Sequence, residues 1–257
     1  MFVEERQEQI LKLLHENGKV KVKELSEMFE VTEDCIRKDL AGMEKKKLLK
    51  RTYGGAILRE SLHPGHTNIV LERHNKNLDK KRAIAKKAVR LLKDGDVIFL
   101  DISTTNLEVA KEIIKSGLKV KVVSHMLGIA DLFAQEQKEG LDFIMLGGML
   151  NYSQNSMLGA LTVKMLETFR FDCCFLGVVG ADISANEIST YLSEDGVMKS
   201  SAVLRSNNVY LVMEKQKFDF KGNYVYAKFD DVDGVICEEK PSKEIEKALE
   251  EYRVELI

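Results

Sequence analysis

The sequence predicts an α/β chain of two parts, an N-terminal winged helix-turn-helix joined to a Rossmann-like, mostly parallel sheet domain. Three observations predict it. Apolar residues recur at helical spacing in three short segments before residue 46; a Gly54-Gly55 turn then separates two extended pieces; and from Val97 onward short apolar runs alternate with helical stretches. A chain of 257 residues, 44% hydrophobic and 31% charged with two prolines, suits a small folded domain beside a larger one. The expected boundaries are 1–59 for the first domain, 60–77 for a linker and 78–257 for the second.

The first helix runs through Ile10, Leu11, Leu13 and Leu14 and is expected to end at Asn17-Gly18, where a left-handed cap fits. The second carries Val22, Leu25 and Phe29. After the turn Glu30-Val31-Thr32, Thr32 is placed to cap a third helix, with Glu33 and Asp34 in its first turn. Ile36, Leu40 and Met43 bury one stripe of that helix. At about 100° per residue Asp34, Lys38, Ala41 and Lys45 fall opposite it, and Arg37 lies on its flank. Two short helices joined by a tight turn, the second showing a polar and basic face, form the geometry that enters a major groove.

Charge supports this. The formal net charge of −2 conceals a split: residues 1–36 hold five Lys/Arg against nine Asp/Glu, and residues 37–59 hold eight against two. Lys50 and Arg51, on a ribbon around Gly54-Gly55, are placed to follow a phosphate backbone, leaving base reading to the helix face.

The stretch from Glu5 to Ala56 resembles the winged helix-turn-helix of the DeoR family of bacterial repressors, with its V-S-x-x-T-I-R-R-D-L and G-L-L-R-R-x-H-G-G-A patterns. Val31, Thr32, Ile36, Arg37, Lys38, Asp39 and Leu40 match; Cys35 stands for the family's threonine, Lys47 for its glycine and Tyr53 for its histidine. With spacing and charge, the resemblance implies double-stranded operator DNA as partner and Thr32, Asp34, Cys35, Arg37, Lys38, Lys45, Lys50, Arg51 and Tyr53 as the residues that meet it.

The start MFVEERQEQ is acidic, without the basic and apolar segments of a secretory signal, and no apolar run approaches the roughly 18 residues of a membrane span, so a cytoplasmic protein is expected. Cys35, Cys173, Cys174 and Cys237 have neither zinc nor disulfide-scaffold spacing; Cys173 and Cys174 sit in CCFLGVV and are expected in a core. His63, His66 and His74 fit no compact ligand set, and neither metal nor cofactor is expected.

Beyond the basic helix that starts at Asp79, strands are expected at VIFLD, VKVVS, FIMLGG, CCFLGVV, NVYLVM and GVICE. Helices are expected between them, with a polar loop after Gly148 and a last helix from Ser242 to Tyr252. A parallel sheet binds ligands outside its strands' carboxyl ends. That places Asp101, Ser103, Thr104 and Thr105 of DISTTNL where a helix N-terminus can hold a phosphate. Ser and Thr also cap such helices in proteins that bind nothing there. Ser124-His125, Gly147-Gly148, Asp182 and Lys217 converge on the same edge, with Glu194 and Lys199 on a nearby helix.

This domain also resembles the DeoR family's C-terminal sensor, related in fold to sugar-phosphate isomerases. Asp101, Thr104, Thr105, Gly147, Gly148, Gly177, Gly180, Asp182 and Lys217 match its D-x-G-T-T, G-G, G-A-D-G-I-D and D-S-S-K patterns. The resemblance implies a phosphorylated sugar or similar metabolite as effector and a repressor of a carbohydrate-utilisation operon, relieved by that metabolite. A homodimer or homotetramer is expected, because helix-turn-helix proteins read paired half-sites. Ser103 replaces a family glycine and is expected to crowd a phosphate; Ser124-His125 replaces T-N, Val178-Val179 replaces A-D and Glu214-Lys215-Gln216 replaces D-S-S. These changes leave open a sensor that has become a scaffold, and the fold leaves open an isomerase using Asp101, Asp182 or Glu194. An isomerase has no use for a basic winged helix, so catalysis is not expected.

Arg37→Ala is expected to weaken a specific operator by about 1–3 kcal/mol by removing a base-edge contact. Lys50→Ala should weaken all duplexes alike and flatten the salt dependence; affinities measured over a salt series distinguish the two.

Overall fold

The computed structural model describes residues 3–17, 19–45, 48–52, 54–58, 73 and 76–257. The chain divides into two compact units, Met1–His66 and Thr67–Ile257.

Among its described residues the first unit has three helices, α1 (Val3–Asn17), α2 (Val22–Phe29) and α3 (Glu33–Lys45), and three strands, β1 (Lys19–Lys21), β2 (Leu49–Thr52) and β3 (Gly55–Leu58). Its core is the apolar stripe of each helix: Ile10 and Leu14, Val22, Leu25 and Phe29, and Ile36, Leu40 and Met43, closed by Val20, Leu49 and Ala56. At the end of α2 Glu30 takes a left-handed conformation, φ 54°, and turns the chain toward α3. The expected cap at Gly18 lies outside the described residues. So does most of the expected linker, with His63, His66 and His74.

The ribbon has a third strand that apolar alternation does not reveal. β1 pairs antiparallel with β3, giving the order β1-β3-β2. Gly55 faces Lys21 at this crossing, and a Cβ there would stand 2.1 Å from the Val20 carbonyl oxygen. Gly54, at φ 81°, makes the turn and its carbonyl accepts from Val22 N–H at 2.9 Å.

The second unit is built on β4 (Val97–Leu100), β5 (Lys121–Ser124), β6 (Asp142–Met145), β9 (Phe171–Gly177), β12 (Ser206–Val212), β14 (Gly234–Ile236) and β15 (Glu255–Leu256), in the order β15-β14-β12-β9-β4-β5-β6. Every pairing in this sheet is parallel. The connecting helices are α4 (Leu78–Val89), α5 (Thr104–Ser116), α6 (Leu127–Gln135), α7 (Ala160–Glu167), α8 (Ser193–Leu204) and α9 (Lys243–Glu251). Phe99, Phe171, Phe175, Phe229, Cys174 and Leu211 are fully buried in one core. Cys173, Cys174 and Cys237 are buried free thiols there.

Two features differ from the sequence expectation. The polar loop after Gly148 is a hairpin of β7 (Met149–Asn151) and β8 (Ser156–Leu158), whose three-residue strands are too short for a period to show. A second, antiparallel sheet, in the order β10-β11-β13, joins the hairpin of β10 (Gly180–Asp182) and β11 (Glu187–Thr190) to the more distant β13 (Tyr224–Ala227).

Gly55→Ala forces the β1–β3 crossing apart, because the atom it meets is backbone and cannot rotate away. It should cost about 1–3 kcal/mol, read as a lower urea midpoint of the first unit's transition.

Candidate functional sites

On the first unit α3 presents the expected face. Asp34, Arg37, Lys38 and Lys45 are exposed, as are Lys50 and Arg51 on β2. Thr32 is occupied as a cap, its Oγ1 accepting from Cys35 N–H at 3.3 Å. Arg37 donates to Glu33 at 2.5 Å and Asp34 at 2.7 Å on its own helix. Exposed pairs of this kind are worth about 0.3–0.5 kcal/mol, so a base edge displaces them at little cost. Arg51 N–H donates to Glu44 at 2.9 Å, tying the ribbon to α3. Tyr53 lies outside the described residues.

Cys35 is half-buried and turned toward α1, its Sγ 3.3 Å from Arg6 Nη2. The same guanidinium donates through Nε to Asp39 at 2.6 Å, with both side chains almost entirely buried. The Asp39 hydrogen bond pushes Arg6 up, against the burial that opposes it. Sequence reasoning gave neither Arg6 nor Asp39 this role. The signal was available: Asp39 falls three residues after Ile36 and beside Leu40, where a buried acid requires a cation.

On the second unit the carboxyl ends of β4 and β9 meet over Asp101. Its carboxylate accepts from Gly177 N–H at 2.9 and 3.0 Å and from Asn106 Nδ2 at 2.5 Å, and Lys199 lies in direct contact with it. Lys199 also donates to the Gly177 carbonyl at 3.0 Å and stands 3.7 Å from Asp195. Asn106, fully buried and unmarked by any sequence signal, donates to the Phe175 carbonyl at 2.8 Å as well. Ser103 caps α5, its Oγ accepting from Asn106 N–H at 2.9 Å. The Ser103 side chain stands over Gly177, where an added Cβ would come within 2.4 Å of it. Thr104 and Thr105 are buried in the first turn of α5.

The other expected residues are spread more widely. Ser124 Oγ accepts from Met126 N–H at 3.2 Å. His125 is inside the core, stacked on Phe99 with ring centroids 5.7 Å apart and its Nδ1 2.9 Å from the Met157 carbonyl; burial pushes it down to about 4, so it is neutral at pH 7. Gly148 lies against Thr162 of α7. Asp182 closes a turn, accepting from Ser184 Oγ at 2.6 Å and from the N–H groups of Ser184 and Ala185, and pairs with Lys221. The Lys221 hydrogen bond, then that of Ser184, lowers its pKa to about 2. Glu194 is exposed, and Asp195, one residue on, turns inward.

A cluster of cations gathers beside Asp195. Arg73, Lys81, Lys199 and Lys217 all have pKa values pushed down by burial, and the Arg73 charge adds to that in each of the three lysines. Lys81 falls to about 8. The Asp101 contact opposes the loss of charge on Lys199. Arg73 Nε has no hydrogen-bond acceptor among the described residues. Asp195 Oδ2 accepts from Thr190 Oγ1 at 2.7 Å while its Oδ1 has no hydrogen-bond donor among the described residues; burial raises this carboxyl to about 7. Glu214 accepts from Asn77 at 2.6 Å and Gln216 at 3.0 Å.

Residues 6–62 match the DeoR-like helix-turn-helix domain and residues 76–239 the DeoR C terminal sensor domain. The chain belongs to the DeoR family. It is a DNA-binding transcriptional regulator and not an enzyme. It is 28% identical to the HTH-type transcriptional repressor GlcR of Bacillus subtilis (strain 168), over 100% of this chain and 96% of that one. It is 31% identical to the lactose phosphotransferase system repressor of Lactococcus lactis subsp. lactis, over 83% and 82% of the two chains. Among solved structures, ribose 5-phosphate isomerase A of Methanocaldococcus jannaschii is similar at 18% identity, a TM-score of 0.41 and 55% of each chain. Among the described residues of this DeoR-family regulator, no helix is long and apolar enough to cross a membrane.

Asp39→Ala should destabilise the regulator's first unit by about 3–5 kcal/mol, because it removes the carboxylate paired with the buried Arg6 charge. Replacing Arg6 and Asp39 together by Met and Leu should restore most of that loss, as urea denaturation of the single and double variants will show.

Proposed function

We propose that this regulator represses a carbohydrate-utilisation operon in the cytoplasm and releases its operator when an anionic metabolite, a phosphorylated sugar or a close relative, enters the second unit beside Arg73, Lys81, Lys199 and Lys217. The observation that carries the proposal is a set of lysines whose pKa values burial and the Arg73 charge lower, around a guanidinium Nε lacking an acceptor among the described residues. Like charges held together without water are costly, and a phosphate relieves both the repulsion and the missing bond. Asp195 Oδ1 and Glu214 are acceptors suited to sugar hydroxyls at the same place.

Arg73 and Lys81 thus join Lys199 and Lys217 in the proposed pocket, with Thr104 and Thr105 at the α5 N-terminus. Asp101 orients Lys199, since its oxygens are already taken, and Ser103 turns toward Gly177. Ser124, His125, Gly147, Gly148, Asp182 and Glu194 are left outside it. A sugar ligand agrees with the names of relatives, a lactose phosphotransferase system repressor among them. On the first unit the proposed DNA contacts are Arg37, Lys38 and Lys45 on α3, with Lys50 and Arg51 on the ribbon. The regulator reads two half-sites as a symmetric dimer or larger assembly joined through the second unit.

Titration calorimetry with a panel of sugar phosphates tests this. Saturable binding that weakens operator affinity is the expected result, with a coupling of about 1–3 kcal/mol, and absence of binding across the panel identifies the second unit as a scaffold. Arg73→Ala should lower effector affinity at least tenfold without changing operator affinity in its absence. Because burial lowers Lys81 to about 8, effector affinity should fall as pH rises from 7 to 9, with proton uptake on binding largest above pH 8, between the free and bound pKa of that lysine.

A further inference from the structure

One segment of the second unit carries no charge. From Phe143 to Val163 the sequence has no Asp, Glu, Lys, Arg or His, in a chain that is 31% charged. This segment forms the rest of β6 after Asp142, the β7–β8 hairpin and the start of α7. Met149, Tyr152 and Leu161 within it are 76%, 84% and 63% exposed, and Phe143, Ile144, Met145, Leu150 and Met157 are only partly covered.

Two features of the backbone point to the same place. β6 is the last strand of the parallel sheet and has a neighbour only in β5. At the opposite edge β15 is two residues long, which protects it; β6 is longer and has neither proline nor a central lysine to discourage pairing. The hairpin is a separate two-stranded sheet whose Ser156 and Leu158 are buried in the unit's own core while Met149 and Tyr152 are left exposed.

We propose that this face is covered by a second copy of the chain, in a two-fold contact made by the β6 edge, the hairpin and the N-terminal end of α7. The inference rests on the symmetric reading of DNA half-sites above and names the surface that produces the symmetry. Charge selects the occupant. An acidic or basic partner finds no ion to pair with here, whereas a face without charges is complementary to itself and a two-fold axis places it on itself. Interface cores are depleted of charge and enriched in Met, Tyr and Phe, which are the side chains displayed. A specific contact buries about 800 Å² on each partner, more than three side chains supply, so hairpin and sheet edge must both take part.

Light scattering on chromatographed full-length protein tests this, comparing wild type with Tyr152→Asp, Leu161→Asp and, as a control on an exposed apolar residue elsewhere, Leu204→Asp. The replaced side chains are exposed, so far-UV circular dichroism and thermal unfolding should show all three variants folded. The expected result is a wild-type and Leu204→Asp mass of a dimer or larger, with that mass falling by half or more in Tyr152→Asp and Leu161→Asp. Met149→Cys should in addition form a covalent dimer under mild oxidation. If wild type is oligomeric and Tyr152→Asp and Leu161→Asp stay so at the same concentrations, the surface is wrong and symmetric half-site reading stands. If wild type is a monomer both free and on operator DNA, the symmetric reading falls with it.

Discussion

A carboxylate taken out of water must be surrounded by donors, and the second unit is organised around one that is. Asp101 sits at the end of β4, and its donors come from the backbone at the end of β9, from Asn106 on α5 and from Lys199 on α8. Four elements are joined at one point, where the strand ends of a parallel sheet would otherwise leave a gap. Removing any single partner leaves a buried charge or a buried donor exposed to an apolar surrounding, which costs more than the bond itself contributes. The chain therefore has little freedom in where α5 and α8 begin, and the surface beside them is held in place before any ligand arrives.

Beside this satisfied network lies one that is not. Lys81 and Lys217 are close enough to Arg73 for its charge to lower their proton affinity, and Arg73 and Asp195 each keep a buried polar atom without a hydrogen-bond partner among the described residues. Cores seldom tolerate such groups unless function requires them. A rigid framework that carries an unsatisfied cationic cluster is suited to a sensor: the free energy withheld in the empty state is available when an anion binds, and that difference between states is what can be transmitted.

The first unit follows the same rule on a smaller scale. Its core is thin, and one buried ion pair, Arg6 with Asp39, fixes α3 against α1. Orientation matters there because the exposed Arg37, Lys38 and Lys45 all project from α3. Lys50 and Arg51, the proposed phosphate contacts, lie on a ribbon tied to α3 through Glu44. An ion pair has directional requirements that apolar packing lacks, so it constrains helix rotation more tightly than its net stabilisation suggests.

Periodicity and charge by themselves determined the three helices of the first unit, the exposed basic face of α3, the parallel strands of the second and the placing of Asp101 at the carboxyl end of β4. These are local properties, carried by residues three, four or two apart. Tertiary structure alone decided which polar residues meet. Asp195 rather than Glu194 turns inward because the rotation of α8 is set by Lys199 reaching Asp101; His125 goes into the core because Phe99 is there to stack on; and Asp182 closes the β10–β11 hairpin and pairs with Lys221, thirty-nine residues on. Arg73 and Lys81 gain their meaning from Lys217, more than a hundred residues away. Their grouping depends on long-range closure of the chain, and no pattern of near neighbours in the sequence carries that information.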